Sequence, residues 1–276
     1  MAWPARQNED TVDLEILKAL PSAPSAKPPL LFLHGAFSGA WVWAEHVLDF
    51  VAERGHAAYA LSFRGHGRSE GRGDLARHGL ADYADDVRTA IRFIGRSPIL
   101  VGHSMGGLVA QRCLGRERVA GLALMAPVAP EGAMAANAHL ILRDPGLWAE
   151  IAQAATVGVG RTAPASSDLR RMLVADDLPP ALAEAYLFRM QDESRRALAE
   201  MQVPGFCFSA AWLGVPALVV GREGDRLIPL AALKRTAWFH GAALHVLPGS
   251  AHALMLEAHW REPAKLLTDW LARTCA

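Results

Sequence analysis

The sequence predicts an α/β fold, a doubly wound and mostly parallel sheet interrupted by a helical insertion. Three observations carry this. Short apolar runs alternate with helical stretches through the first 125 residues. The alternation resumes after residue 212, and the stretch between has helical spacing without a buried-strand pattern. At 276 residues, 51% of them hydrophobic, the chain can bury a large core.

Taken in order, Val12-Asp13-Leu14-Glu15-Ile16 alternates apolar and charged residues, which predicts a half-exposed edge strand over 12–17. A loop rich in Pro, Ser and Ala, Pro21 to Pro29, leads into Leu30-Leu31-Phe32-Leu33, the continuous apolar run of a strand covered on both faces. Ala40 to Arg54 reads as a helix stopped by Gly55, and Ala57 to Phe63 as the next strand. Ala81 to Ile94 is a helix with Asp82, Asp85 and Asp86 near its start, where carboxylates complement the dipole. Pro98 to Val101 and Val119 to Met125 supply two strands flanking a helix behind Ser104. Ala217 to Val220 and Ala243 to Leu247 continue the sheet, and Glu262 to Arg273 closes it as a helix. Between them, Leu140-Ile141-Leu142, Leu147-Trp148 and Ala181 to Met190 are spaced as helices. The expected organisation is a core of residues 1–129 and 213–276 with a helical cap, 130–212, over the ligand face of the sheet.

Composition narrows the function. Lys plus Arg equals Asp plus Glu at 28 each, so no global field draws the chain to nucleic acid or anionic lipid. Cys113, Cys207 and Cys275 lie far apart with no C-x-x-C, which fits a reducing compartment better than a disulfide framework. Met1 to Asp10 lacks the basic start and apolar stretch of a signal peptide, and no apolar run approaches the roughly 20 residues of a membrane span. The expectation is a cytoplasmic protein, with homo-oligomerisation left open. No H-E-x-x-H, paired cysteine set or Walker sequence is present. Gly71-x-Gly73-x-x-Ala76 and Gly158-x-Gly160-x-x-Ala163 fit a degenerate dinucleotide pattern, but neither follows a strand directly, so no metal or cofactor is expected.

The most informative segment is Ile99 to Val109, where a buried-strand pattern breaks into Gly102-His103-Ser104-Met105-Gly106 and then a helix striped by Met105, Leu108, Val109 and Cys113. A serine hydroxyl is a weak nucleophile at neutral pH and must be held clear of the chain, beside a base and near backbone donors for an oxyanion. A sharp strand-to-helix turn does this, provided that positions 102 and 106 carry no Cβ to collide as strand and helix close together. The same pentapeptide pattern recurs at Gly67-Arg68-Ser69-Glu70-Gly71, but Arg72-Gly73-Asp74 follows it with no apolar stripe, so Ser69 is read as a loop residue.

With these segments go His34-Gly35-Ala36-Phe37-Ser38-Gly39-Ala40-Trp41, Phe63-Arg64-Gly65-His66-Gly67-Arg68-Ser69, Gly221-Arg222-Glu223-Gly224-Asp225 and Gly249-Ser250-Ala251-His252, in that order. Over most of its length the chain resembles the α/β-hydrolase superfamily, in its serine-nucleophile, esterase-like branch. The resemblance implies Ser104 as nucleophile, Asp225 as the acid after the strand that follows the cap, and His252 as the base after the last strand. Glu223 competes for the acid, but stands two residues closer to the strand. His240, His245 and His259 also follow Asp225, and each also has a structural reading. His103 is implied as a structural residue under the turn. The backbone amides of Met105 and Ala36 are the implied oxyanion donors, with Phe37 the lesser choice for the second, and Phe37, Met105 and Leu227 are implied to lie near the ligand.

Trp41, Trp43, Leu147, Trp148, Phe188, Met190, Phe206, Phe208 and Trp212 are available to line an apolar pocket, although such stripes are more often ordinary core. The expected activity is cofactor-independent hydrolysis of a small to medium apolar carboxylic ester. Serine at the turn argues against the dehalogenases and epoxide hydrolases of this superfamily, which place aspartate there. Carbon-carbon bond hydrolysis, hydroxynitrile cleavage, lactone or thioester hydrolysis and perhydrolysis remain open, because fold does not settle function. So does a ligand sensor that keeps the triad.

Overall fold

The computed structural model describes residues 12–157, 170, 173–174 and 177–274. Leu30–Leu33 (β2) and Ile99–His103 (β4) are buried at every position, which is why they take the centre of the sheet. Each such leucine contributes about 1.5–3 kcal/mol by leaving water. Around them stand Ile16–Ala19 (β1), Ala58–Leu61 (β3), Gly121–Met125 (β5), Ala217–Arg222 (β6) and Ala243–Leu247 (β7), in the order β1-β3-β2-β4-β5-β6-β7. All neighbouring pairs are parallel except β1 with β3. This is the predicted mostly parallel α/β sheet.

The edge strand differs from expectation. Pairing begins at Ile16, not Val12, because Glu15 is drawn into the turn beyond β3: its amide donates to Ser69 Oγ at 2.9 Å, and its carboxylate accepts the Ser62 hydroxyl at 2.8 Å. The predicted helix over 40–54 is two, Trp41–Ala44 (α1) and Val47–Ala52 (α2). His46 leaves the helical region at φ −143° and its ring stacks on Trp260 at 4.8 Å, so a tertiary contact breaks a continuous apolar pattern.

Leu80–Ile94 (α3) begins where Asp82 accepts the Gly79 amide at 2.7 Å, and Ser104–Cys113 (α4) follows β4 without a linking residue. Between β5 and β6 the described elements are Met134–Arg143 (α5), Pro145–Val157 (α6), Pro180–Phe188 (α7), Arg195–Glu200 (α8) and a 3-10 turn at Ala211–Leu213, with no strand among them. Leu230–His240 (α9) and Arg261–Thr274 (α10) complete the core. Among the described residues no helix is long and apolar enough to cross a membrane. The Gly71–Ala76 run lies at the 3-10 segment Arg72–Arg77 and does not directly follow β3, which ends at Leu61; Gly158–Ala163 and Cys275 lie outside the described residues.

In a parallel sheet every strand ends on the same edge. That edge receives the loops after β2, β4, β6 and β7, which carry Ala36, Ser104, Asp225 and His252.

Candidate active site

The turn at Ser104 is built by exclusion of side chains. Ser104 has φ +50°, a left-handed conformation that costs a non-glycine residue about 1–3 kcal/mol and lifts its side chain off both strand and helix. A Cβ at Gly102 would stand 2.6 Å from the Gly106 carbonyl oxygen, and one at Gly106 would stand 2.3 Å from the His34 carbonyl oxygen. Only glycine lets α4 close onto β4 and β2 this tightly. Ser104 is half-buried and faces a cavity of about 610 Å³.

His252 faces the same cavity. Its Nδ1 donates to Asp225 Oδ2 at 2.8 Å, both side chains being nearly fully buried, and this leaves Nε2 bare to take a proton. Asp225 Oδ1 accepts the amides of Leu227 at 2.8 Å and Ile228 at 3.1 Å, so the carboxylate cannot turn without losing three bonds. Glu223, the competing acid, is exposed. His103 donates through Nε2 to the His252 carbonyl at 2.9 Å, tying the His252 loop to the turn. Burial, and then the neighbouring His252, hold His103 well below the usual histidine range, so it stays neutral. Arg222 braces the same loop: it donates to the Pro248 carbonyl and pairs with Glu257 at 2.5 Å. Burial pushes Glu257 up to about 7 in spite of that partner.

The other late histidines do other work. His240 donates to Gln111 Oε1 at 3.0 Å and accepts the Ala210 amide at 3.1 Å, His259 pairs with Asp177 on the surface, and His245 lies within β7. Ser69 is a buried loop residue bonded to Ser62 and Glu15.

The two backbone amides expected as oxyanion donors are those of Met105 and Ala36. Met105 lies in the first turn of α4, whose N–H groups have no carbonyl partner within the helix; its side chain is buried in the core and does not line the cavity. Ala36 lines the cavity, and the peptide joining it to Gly35 is fixed from behind, since the Gly35 carbonyl accepts His34 Nδ1–H at 2.8 Å and the Ser38 hydroxyl at 2.9 Å. His34 Nε2 accepts the Phe63 amide at 3.1 Å, and burial lowers His34 to about 3. The Phe37 amide is already engaged by Glu193, at 3.2 Å.

Phe37 and Leu227 stand in the cavity wall. Of the apolar candidates, Trp41, Trp148 and Met190 line it, whereas Trp43 is core, Leu147 packs with Leu140 in a small separate cluster, and Phe188, Phe206 and Trp212 are exposed. Met134, Ile141 and Trp148 line the cavity and are also solvent-exposed, which marks its mouth between α5 and α6. Sequence reasoning missed Ser38, Gln191 and Glu193. Ser38 sits in the quoted His34-Gly35 run and its signal was there to be used, but Glu193, 100% removed from solvent at its side chain, lies in the featureless stretch Met190 to Ser194. Among the described residues no group of three His, Cys, Asp or Glu is placed to hold a metal ion.

The sequence model described as the alpha/beta hydrolase family matches residues 30–266. A monoacylglycerol lipase of Mycolicibacterium smegmatis is 28% identical over 243 residues, covering 82% of this chain and 81% of that protein. A putative carbamate hydrolase of Variovorax paradoxus is also 28% identical, over 255 residues, covering 89% and 92%. Among solved structures, a thermophilic esterase from Thermogutta terrifontis superposes with a TM-score of 0.71 at 19% identity, covering 96% of this chain and 95% of that one.

Proposed function

The chain belongs to the alpha/beta hydrolase family and is a hydrolase, and from that premise we propose that it cleaves apolar carboxylic esters of small to medium size through an acyl-enzyme at Ser104. The observation that carries this is His252, locked by Asp225 in the tautomer that presents a bare Nε2 to the cavity that Ser104 also faces. The ester carbonyl is attacked by Ser104 Oγ as His252 Nε2 takes its proton, and the oxyanion is received by the amides of Met105 and Ala36. His252 returns the proton to the departing alcohol. Water, deprotonated in turn by His252, then releases the acid and regenerates the serine.

The cavity supports an apolar acyl group. Its volume lies within the range of small-molecule sites, and its wall is mostly Ala, Leu, Ile, Met and Trp, with Asn137 and Gln202 hydrogen-bonded to each other at 2.5 Å. In this reading the helices between β5 and β6 act as the cap. The names borne by the relatives, a monoacylglycerol lipase and several esterases, agree with it. Mixing the protein with a p-nitrophenyl acyl ester should give a burst of nitrophenol equivalent to the enzyme present, abolished in Ser104→Ala. Equal turnover by that variant would refute the role of Ser104.

A further inference from the structure

We infer that Glu193 is the positioning residue of the oxyanion loop: it carries the hold of the helical excursion on Phe37 and so fixes where the Ala36 amide points. The inference rests on the acyl-enzyme reading above. In a trans peptide the carbonyl and the next amide point in opposite directions, so whatever holds the Gly35 carbonyl also aims the Ala36 N–H. His34 and Ser38 hold that carbonyl from the core side.

On the other side of Ala36 the chain is gripped by residues far along the sequence. The Phe37 amide donates to Glu193 Oε2 at 3.2 Å, and the Phe37 carbonyl accepts the Gln191 amide at 2.9 Å. Phe37 has φ +64°, a left-handed conformation that a bulky side chain does not hold by itself. Both of its peptide groups are therefore clamped by a segment 154 to 156 residues away, between α7 and α8. The Gln191 side chain extends the grip, accepting the Gly67 amide at 2.8 Å and donating to the Gly65 carbonyl at 3.0 Å.

Glu193 is built for this task. Oε2 accepts His66 Nε2 at 3.0 Å as well as Phe37, and Oε1 accepts the Tyr83 hydroxyl and the Ser194 amide, both at 2.7 Å. Four donors leave the carboxylate no freedom to turn. Burial opposes its charge, but His66 as counter-ion and these hydrogen bonds prevail and hold it below the usual carboxylate range, while the same pairing raises His66.

Glu193→Gln keeps the size but puts an NH2 group where one pair of donors pointed, loosening Phe37. We expect kcat on a p-nitrophenyl ester to fall on the order of 10- to 100-fold, a part of the loss that follows removal of an oxyanion donor, with KM within about threefold of the parent. Affinity for an alkyl trifluoromethyl ketone, whose serine adduct places an oxyanion in the same position, should fall by the same factor. Leu267→Ala, which hollows the buried face of α10, an element that bonds none of Phe37, Gln191 or Glu193, separates this from general destabilisation and should leave both values unchanged in folded protein. Should Glu193→Gln not fold, Glu193→Asp is read by the same criterion, since it keeps the charge for His66 but shortens the reach. A folded variant that retains kcat and ketone affinity within threefold overturns the inference. A parent that neither turns over ester nor binds the ketone takes down the acyl-enzyme reading instead.

Discussion

Asp225→Asn offers a sharp test because the surroundings of the carboxylate are asymmetric. Oδ1 faces two backbone amides, Leu227 and Ile228, whereas Oδ2, among the described residues, faces the imidazole of His252 alone. An asparagine must choose which face receives its NH2. Aimed at the loop, the NH2 opposes two backbone N–H groups, and leaving both unmade costs about 2–6 kcal/mol at 1–3 each. Aimed at His252 it keeps both backbone bonds, but the imidazole must then accept at Nδ1 and carry its proton on Nε2. That tautomer cannot act as a base toward Ser104. At 4 kcal/mol the productive orientation is populated about once in 10³, so kcat should drop by roughly 10³ to 10⁴, the size seen when the same tautomer is imposed on other triads. Stability should change by less than about 1 kcal/mol, because the loop bonds survive. Steady-state turnover of a p-nitrophenyl ester, thermal unfolding and ¹⁵N shifts of the His252 ring together check this. A variant within tenfold of the parent, or one whose loss tracks unfolding, would refute the reasoning.

Gly106→Ala should destabilise the fold by 1–3 kcal/mol or more, because the added methyl meets backbone oxygens of His34 and Leu33, which cannot swing away. Gly73→Ala, with nothing within 4 Å, is the matched control and should be neutral or slightly stabilising by chemical denaturation. Acid should weaken the protein. His34 (about 3), His240 (about 4) and His103 are all held neutral chiefly by burial, against 6.5 when unfolded. A depressed histidine gives stability that is present above the unfolded value and lost as pH falls below it. His46 and His56, also lowered by burial, add to this, whereas Glu257 and Asp86, raised by burial, and His66, raised by Glu193 in spite of burial, oppose it. Each net proton bound on unfolding is worth about 1.4 kcal/mol per pH unit, so stability should fall on the order of 1 kcal/mol between pH 6 and 5, measurable as the shift in urea midpoint; rising stability over that range would contradict it.

Much of this was legible in the sequence because the relevant signals are local. Four consecutive apolar residues at 30–33 can only be buried on both faces, and the pentapeptide at 102–106 announces its turn through two glycines. The helix break at His46 was not legible, since Val42, Trp43, Val47 and Val51 keep a continuous apolar stripe and the interruption comes from Trp260, more than 200 residues on. Glu193 was hidden for a similar reason. A carboxylate among Gln191, Asp192 and Ser194 reads as solvated, and what desolvates it is a packing partner, His66, 127 residues earlier.

Ser104 belongs to the middle of the sheet, but Asp225 and His252 hang from the last two strands, with 148 positions separating Ser104 from His252. At a translation speed of 5–20 residues per second, an emerging chain carries its serine for on the order of 10 s before the imidazole leaves the ribosome. On the proposed mechanism, chemistry therefore waits for the carboxyl-terminal edge to dock, and a chain cut short before β7 would hold its proposed nucleophile without a base.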